Sequence, residues 1–116
     1  MKFNKPILID VCGYPYKVVF VDQEEIKGND GLCLNNDRII KIRNDIDGIA
    51  TELILTHEIT HAILCVQGRV YQRKFDVEEL CEFMAYQSRT IRQCINQVVN
   101  TVAIGEENYN ESMVDY

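Results

Sequence analysis

The feature that most constrains the fold of this chain is the motif His57-Glu58-Ile59-Thr60-His61, in which two histidines stand four residues apart. In an α-helix, residues with this spacing lie one turn apart on the same face. Two imidazoles placed that way can bind a single Zn²⁺. The glutamate beside the first of them then lies near the open side of the metal, where it can take a proton from water. Because the chain has no other histidine, the motif predicts a helix that carries a metal site.

The hydrophobic pattern around the motif independently predicts that helix. Apolar residues and both histidines recur at helical spacing from residue 49 onward. Gly68 is typical of a helix C-terminal stop, so we expect a helix over about residues 49–67 with both histidines on its inward face. The predicted inward stripe comprises Ala50, Leu53, Ile54, His57, His61 and Leu64.

A second, longer helix is predicted to follow. Asp76 can cap it, and an apolar stripe that runs to about Ile104 gives it a buried face. Gly105 is expected to end it. Residues 1–105 then form a single domain. Residues 106–116, which carry four acids and no base, are expected to form an acidic C-terminal tail that is loose or docks as a short segment.

The first part of the chain has the residue types of β-strands. Stretches rich in β-branched and aromatic residues alternate with turn residues such as Gly13 and Asn36. Strands joined by hairpins and followed by helices indicate an α+β fold. We expect a short antiparallel N-terminal sheet of three or four strands, packed on the motif helix and the long helix after it. The predicted strands are residues 7–11, 16–21, 32–34 and 38–43.

The composition narrows the class of protein. A chain of 116 residues with 47% hydrophobic and 26% charged residues is ordinary for one soluble domain. The net charge of −6 argues against a general binder of nucleic acid or anionic membranes, because phosphate affinity depends on clustered Lys and Arg. Five cysteines without C-x-x-C spacing indicate reduced thiols, and no apolar run is expected to span a membrane. These features predict a cytoplasmic protein.

The motif by itself supplies only part of a metal site. A catalytic zinc site takes three protein ligands, and without a third histidine the remaining ligand must be a carboxylate or a thiolate. Glu78, 17 residues beyond His61, can return on the second helix, and Glu79 is its rival. Glu82, one turn further along, can accept the distal N–H of a ligand histidine and fix its tautomer. Acids in the first turn also stabilise a helix dipole without any metal, and that alternative stays open.

Together these features resemble the gluzincin-type zinc metallopeptidases, and more narrowly the small ImmA/IrrE-like and phage-encoded metallopeptidases. In that family a few strands precede an H-E-x-x-H helix, and the following helix opens with an E-x-x-A-N-x-F-A-like pattern. The corresponding run here is Glu78-x-x-Cys81-Glu82-x-Met84-Ala85. The resemblance covers about residues 30–90.

The chain departs from the family pattern at four positions. Cys81 and Glu82 replace the Ala-Asn pair. Thr60 stands where a glycine is common, and Cys65 stands where many members have a further histidine. None of these changes removes the histidine pair or the glutamate between them, but they weaken an assignment to the repressor-cleaving branch of the family.

The resemblance implies a minimal zincin-like fold and one zinc ion per chain, held by His57, His61 and Glu78. It also implies a hydrolase that cleaves a peptide bond in a protein or peptide substrate. In that mechanism Glu58 takes a proton from the metal-activated water and passes it to the leaving amine. An edge strand before the helix, either residues 32–34 or residues 39–42, is expected to pair with the substrate backbone.

The sequence leaves an alternative function open, namely a zinc-binding regulatory or protein-interaction module with little proteolytic activity. The small size favours it, because a short chain leaves little room for a substrate cleft. Glu58 favours the enzyme, because a purely structural site has no need of a general base. Candidates for stabilising the oxyanion are Tyr71, Tyr86 and Arg89. The sequence predicts neither the substrate nor the oligomeric state.

Overall fold

A computed structural model describes residues 3–69 and 74–114, with the backbone alone for residues 106–114. A four-stranded sheet packs on two helices, which confirms the predicted α+β class. The strands are β1 (Ile7–Val11), β2 (Tyr14–Val21), β3 (Gly31–Leu34) and β4 (Ile39–Arg43), and the helices are α1 (Gly48–Val66) and α2 (Val77–Val114), with a short 3₁₀ helix at Gln23–Ile26.

The sheet is mixed and not antiparallel throughout. Its strand order is β1-β2-β4-β3. The β1–β2 and β3–β4 pairs are antiparallel as predicted, but β2 and β4 run parallel, with Val18 opposite Ile40. The connection from β2 to β3 contains the 3₁₀ helix, whose Ile26 is buried. Because of this long connection, β3 forms the outer edge and β4 lies between β3 and β2. The prediction of an antiparallel sheet was therefore wrong for the central β2–β4 pair.

One face of the sheet and the two helices enclose the core. Alternate residues of β1 are buried, as expected for a strand with one face in the core. The central strands contribute Val18, Ile40 and Ile42, which have no exposed surface. The helices close this layer with Leu55, Ile59, Ala62 and Ile63 from α1 and Ile91, Cys94, Ile95 and Val98 from α2.

The inward face of α1 differs from the predicted one. Its buried residues are Thr51, Leu55, Glu58, Ile59, Ala62 and Ile63, and both histidines are exposed. Leu53, which the periodicity placed inside, is 66% exposed. The reason is that α1 is apolar on nearly every side, so more than one stripe satisfies a helical period. The stripe that packs on the sheet is the one that holds Leu55, Ile59 and Ile63.

The composition of α1 has a further consequence. In the described part of the chain, α1 is the one helix long and apolar enough to cross a membrane by length and composition. The sequence had predicted no membrane-spanning segment. Core helices of soluble proteins pass the same test, and in this structure α1 packs on the sheet.

The second helix is longer than predicted, because it continues through Gly105 to Val114. A single glycine weakens a helix by about 1 kcal/mol but does not end it. Gly105 instead makes room for a neighbour, since a Cβ there would lie 2.6 Å from Cε2 of Phe3. The predicted stop at Gly105 was therefore wrong, and the backbone of residues 106–114 belongs to α2.

Candidate metal centre

Three side chains of α1 that can bind a metal meet at one place. Nε2 of His57 lies 3.2 Å from Nε2 of His61, with the ring centroids 4.9 Å apart. Ligand atoms of His57, Glu58 and His61 all lie within 4.8 Å of one another, and this group could hold a metal ion. The helix creates the arrangement, because residues at i and i+4 stand above one another on its surface.

Glu58 differs from the two histidines in its burial. It is 5% exposed, whereas both histidines face solvent. Burial raises the pKa of Glu58 above its ordinary value, and the nearby His57 and His61 act in the opposite direction. A carboxylate whose charged form is disfavoured binds a proton more readily, which suits a general base.

The edge strand β3 covers Glu58. A Cβ at Gly31 would lie 3.0 Å from Cγ and 3.2 Å from Oε2 of Glu58. Among the described strands, β3 pairs only with β4, whereas β4 lies between β3 and β2. Of the two strands proposed to pair with a substrate, residues 32–34 therefore have a free edge and residues 39–42 do not. The face of β3 at Gly31 lies against Glu58 of the candidate metal group.

A cluster of neutral polar groups adjoins Glu58 and was not predicted. Tyr16 Oη donates a hydrogen bond to Oδ1 of Asn35 at 3.1 Å, and Sγ of Cys33 donates to the same oxygen at 3.2 Å. Burial, with smaller contributions from Glu58 and Cys65, raises the pKa of Cys33 to about 12. Burial, with Cys65 and Cys33, raises the pKa of Tyr16 to about 12. These groups therefore stay protonated at neutral pH.

The alternation of side chains along β3 is the feature of the sequence that could have indicated part of this cluster. Residues two apart in a strand share a face, so Cys33 lies on the same side of β3 as Gly31. The identity of the element on that side depends on tertiary packing, which periodicity does not give.

The acids predicted to complete the site come from the second helix. Glu78, Glu79 and Glu82 are exposed at the start of α2, and none of them belongs to the metal-binding group in the described residues. Asp76 caps this helix, since its Oδ1 accepts a hydrogen bond from the backbone N–H of Glu79 at 2.7 Å. The cap was predicted. Glu78 as third ligand, and Glu82 as partner of a ligand histidine, stay predictions.

A cavity of 450 Å³ lies between the end of α1 and the start of α2. Two of the α2 acids, Glu79 and Glu82, face it, together with Tyr86, one of the oxyanion candidates. Arg89 is exposed on α2, and Tyr71 lies outside the described residues. The full lining is Gln67, Arg69, Glu79, Glu82, Phe83, Tyr86 and Gln87.

Comparison of the chain with protein-family models, with curated proteins and with solved structures finds no match. The case for a functional site therefore depends on the side chains of α1 and on the strand that packs against them. The resemblance to zinc metallopeptidases stays a prediction from the motifs.

Proposed function

We propose that this chain is a zinc-dependent peptidase in which His57 and His61 bind the metal and Glu58 is the general base. The observation that carries the proposal is the 3.2 Å separation of the two Nε2 atoms. Two nitrogens on a tetrahedral Zn²⁺, each about 2.05 Å from the metal, stand roughly 3.3 Å apart. The same distance also fits a hydrogen bond in which a protonated Nε2 of one ring donates to an unprotonated Nε2 of the other. Bound metal must therefore be measured directly.

The residues of the chain then have distinct roles. Zinc held by His57 and His61 would supply Lewis acidity, which activates water near neutral pH. Glu58 would accept a proton from the attacking water at a carboxylate oxygen and donate it to the leaving amine as the peptide C–N bond breaks. The burial of Glu58 under β3 supports this role, because the desolvated carboxylate binds a proton more readily than an exposed one.

The substrate is an extended segment of a protein or peptide. Among the described strands β3 pairs only with β4, so its other edge can add one more strand, and the face of the same strand lies against Glu58. We propose Glu78 as the third protein ligand, with Glu79 as the rival. Both acids are at the start of α2.

Metal analysis of the purified protein tests the proposal. We expect about one zinc per chain in the wild type and none in His57→Ala. Leu53→Ala is the matched control, because Leu53 is exposed one turn before His57 on the same helix and should not affect zinc content. Equal zinc in the wild type and in His57→Ala would exclude the site.

Catalysis needs a second measurement. The zinc-loaded wild type should hydrolyse fluorescein-labelled casein faster than zinc-loaded Glu58→Gln, which keeps both histidines but removes the base. Equal rates for the two proteins would argue against Glu58 as general base.

The second candidate function is a zinc-binding regulatory or protein-interaction module. The exposure of Glu78 outside the metal-binding group favours it, because two histidines alone make an incomplete catalytic site. In that case the wild type binds zinc through His57 and His61 but cleaves casein no faster than Glu58→Gln.

A further inference from the structure

We propose that Gly31 is a positioning residue for Glu58. The absence of a side chain at this point of β3 lets the strand lie against the Glu58 carboxylate and determines where that carboxylate stands. The placement of Glu58 does not depend on the proposed peptidase activity. Only the catalytic consequence of that placement rests on the proposed function.

The backbone of Gly31 does not require glycine. Gly13, Gly28, Gly48 and Gly68 have positive φ, the region that favours glycine, and Gly31 does not. It lies in β3 with Ile42 opposite it, a conformation that any L-residue adopts. The reason for a glycine at this position must therefore be the space around it.

That space is occupied by two side chains of α1. A Cβ at Gly31 would lie 2.9 Å from Cγ2 of Ile54 and 3.0 Å from Cγ of Glu58. It would also lie 3.2 Å from Oε2 of Glu58. Carbon atoms in favourable contact are about 3.5–4.0 Å apart. Ile54 and Glu58 are one helical turn apart, so together they hold the strand on one face of α1.

Neither partner can make room easily. Ile54 is β-branched, and such side chains have one strongly preferred χ1 rotamer in a helix. Cγ of Glu58 is only two bonds from the helix backbone. The strand is also fixed where it begins, because Nη1 of Arg43 binds Oδ1 of Asp30 at 2.7 Å and the Arg43 backbone N–H donates to the carbonyl of Asp30 at 3.0 Å.

A methyl group at Gly31 must therefore turn the Glu58 carboxylate or separate β3 from α1. Either change admits water to a carboxylate that is 5% exposed. It also moves the carboxylate relative to the exposed histidines, which are not among the three nearest neighbours of a Cβ at Gly31. The expected defect is a misplaced base beside an intact histidine pair.

A double-mutant cycle on the metal-free protein tests the placement without any need for activity. Gly31→Ala should lower the thermal midpoint in the wild type and lower it less in Glu58→Ala, which lacks two of the three crowded atoms. Equal shifts in the two backgrounds would overturn the proposal.

Gly105→Ala provides the matched control for this cycle. It also adds a crowded methyl group, 2.6 Å from Cε2 of Phe3, but it does so on α2, away from Glu58. Its effect on the thermal midpoint should be the same with and without the Glu58 side chain. If Gly105→Ala shows the same dependence on Glu58 as Gly31→Ala, the coupling is not specific to β3 and the proposal fails.

The catalytic consequence has its own readouts. In zinc-loaded Gly31→Ala, kcat on fluorescein-labelled casein should fall about a hundredfold, the scale of a misplaced catalytic group, with KM unchanged. The visible spectrum of the Co²⁺-loaded variant should match that of the wild type, because the histidine pair is intact. Wild-type kcat in Gly31→Ala would overturn the positioning role.

Two further outcomes of these experiments, a variant that does not fold and a wild type that does not cleave casein, can be distinguished from each other. If Gly31→Ala does not fold, Gly31→Ala/Ile54→Ala removes the closest contact and restores folding, and it should still have a lowered kcat because the contacts with Glu58 remain. Wild-type kcat in that double variant would also overturn the proposal. If the wild type itself cleaves casein no faster than Glu58→Gln, the proposed function fails for this substrate, and the double-mutant cycle alone decides the placement of Glu58.

Discussion

The two parts of the candidate site differ in how firmly the fold holds them. On α1, Glu58 is 5% exposed under β3, and the histidines on either side of it are fixed by one turn of a helix that packs on the sheet. At the start of α2 the proposed third ligand, Glu78, is exposed, and Val77 beside it is 75% exposed.

The first buried residue of α2 explains this difference. Phe83 is 8% exposed, and its ring lies 5.6 Å from the ring of Phe75. Glu78, Glu79 and Glu82 all come before this point, where the helix has few buried side chains to fix its direction. The fold therefore positions Glu58 and the histidines, whereas the proposed third ligand on α2 would be positioned by the metal or by a bound substrate.

The largest expected effect concerns zinc affinity and tests directly whether α1 and α2 contribute unequally to the site. His57→Ala should abolish stoichiometric zinc binding, because it removes half of the fixed histidine pair. Glu78→Gln should weaken binding without abolishing it, because it removes the proposed third ligand from the less constrained part. Glu79→Gln, one residue along the same exposed turn, is the comparison variant because Glu79 is the rival ligand, and titration with a zinc-sensitive dye measures all three affinities.

The outcome also decides between the two acids. If Glu79→Gln weakens zinc binding and Glu78→Gln does not, Glu79 is the ligand. Wild-type affinity in both variants would mean that neither acid binds the metal.

The sequence correctly predicted the features that depend on residues close together in the chain. The boundaries of the four strands and of α1 follow from β-rich stretches, turn residues and helical spacing, and each lies within two residues of its prediction. For the same reason the motif predicted that His57, Glu58 and His61 lie close enough together to hold a metal ion, since a histidine pair at i and i+4 needs only one helical turn.

The errors concern features that depend on packing. Leu53 and Leu55 are equally apolar, and only contact with the sheet makes Leu55 the buried one. The parallel pairing of β2 with β4 depends on the path of a polar connection that periodicity does not specify. The cover that β3 provides for Glu58 requires both the sheet order and the orientation of α1, so Gly31 had no visible role in the sequence.

The second prediction concerns stability on the same two helices. Leu55→Ala should lower the free energy of unfolding by about 2–5 kcal/mol, because it empties a fully buried position. Leu80→Ala, at a position on α2 that is 50% exposed, should lower it by less than about 1 kcal/mol. Urea unfolding of both variants measures the difference. Similar losses would mean that the start of α2 is packed as firmly as the middle of α1.

The third prediction concerns alkaline pH and tests the partly buried polar cluster beside Glu58. The pKa of Cys33 is raised from 9.0 to about 12 and that of Tyr16 from 10.0 to about 12. The folded state therefore favours the protonated forms, so their contribution to stability is complete below pH 9 and is lost as the pH rises toward 12. Urea unfolding across this range should show a falling free energy of unfolding.

Two variants separate the contributions to that alkaline loss. Cys33→Ala should make the fall shallower and leave the part due to Tyr16. Cys81→Ala, which removes an exposed thiol of α2, should leave the curve unchanged. An identical curve for the wild type and Cys33→Ala would show that Cys33 does not titrate as its burial requires.

The smallest expected effect concerns the ion pair between the helices. Nη1 of Arg92 on α2 lies 3.9 Å from Oε1 of Glu52 on α1, with the side chains 63% and 42% exposed. Exposed pairs contribute roughly 0–1 kcal/mol and are screened by salt. Arg92→Ala should therefore change the free energy of unfolding in urea by less than about 1 kcal/mol, and even this difference should shrink at high salt.

A larger, salt-sensitive loss would mean that charge, and not the apolar contact around Ile91 and Ile95, fixes α2 against α1. The exposed acids at the start of α2 would then be placed by the same electrostatics, and the contrast between the two parts of the site would be weaker than burial indicates.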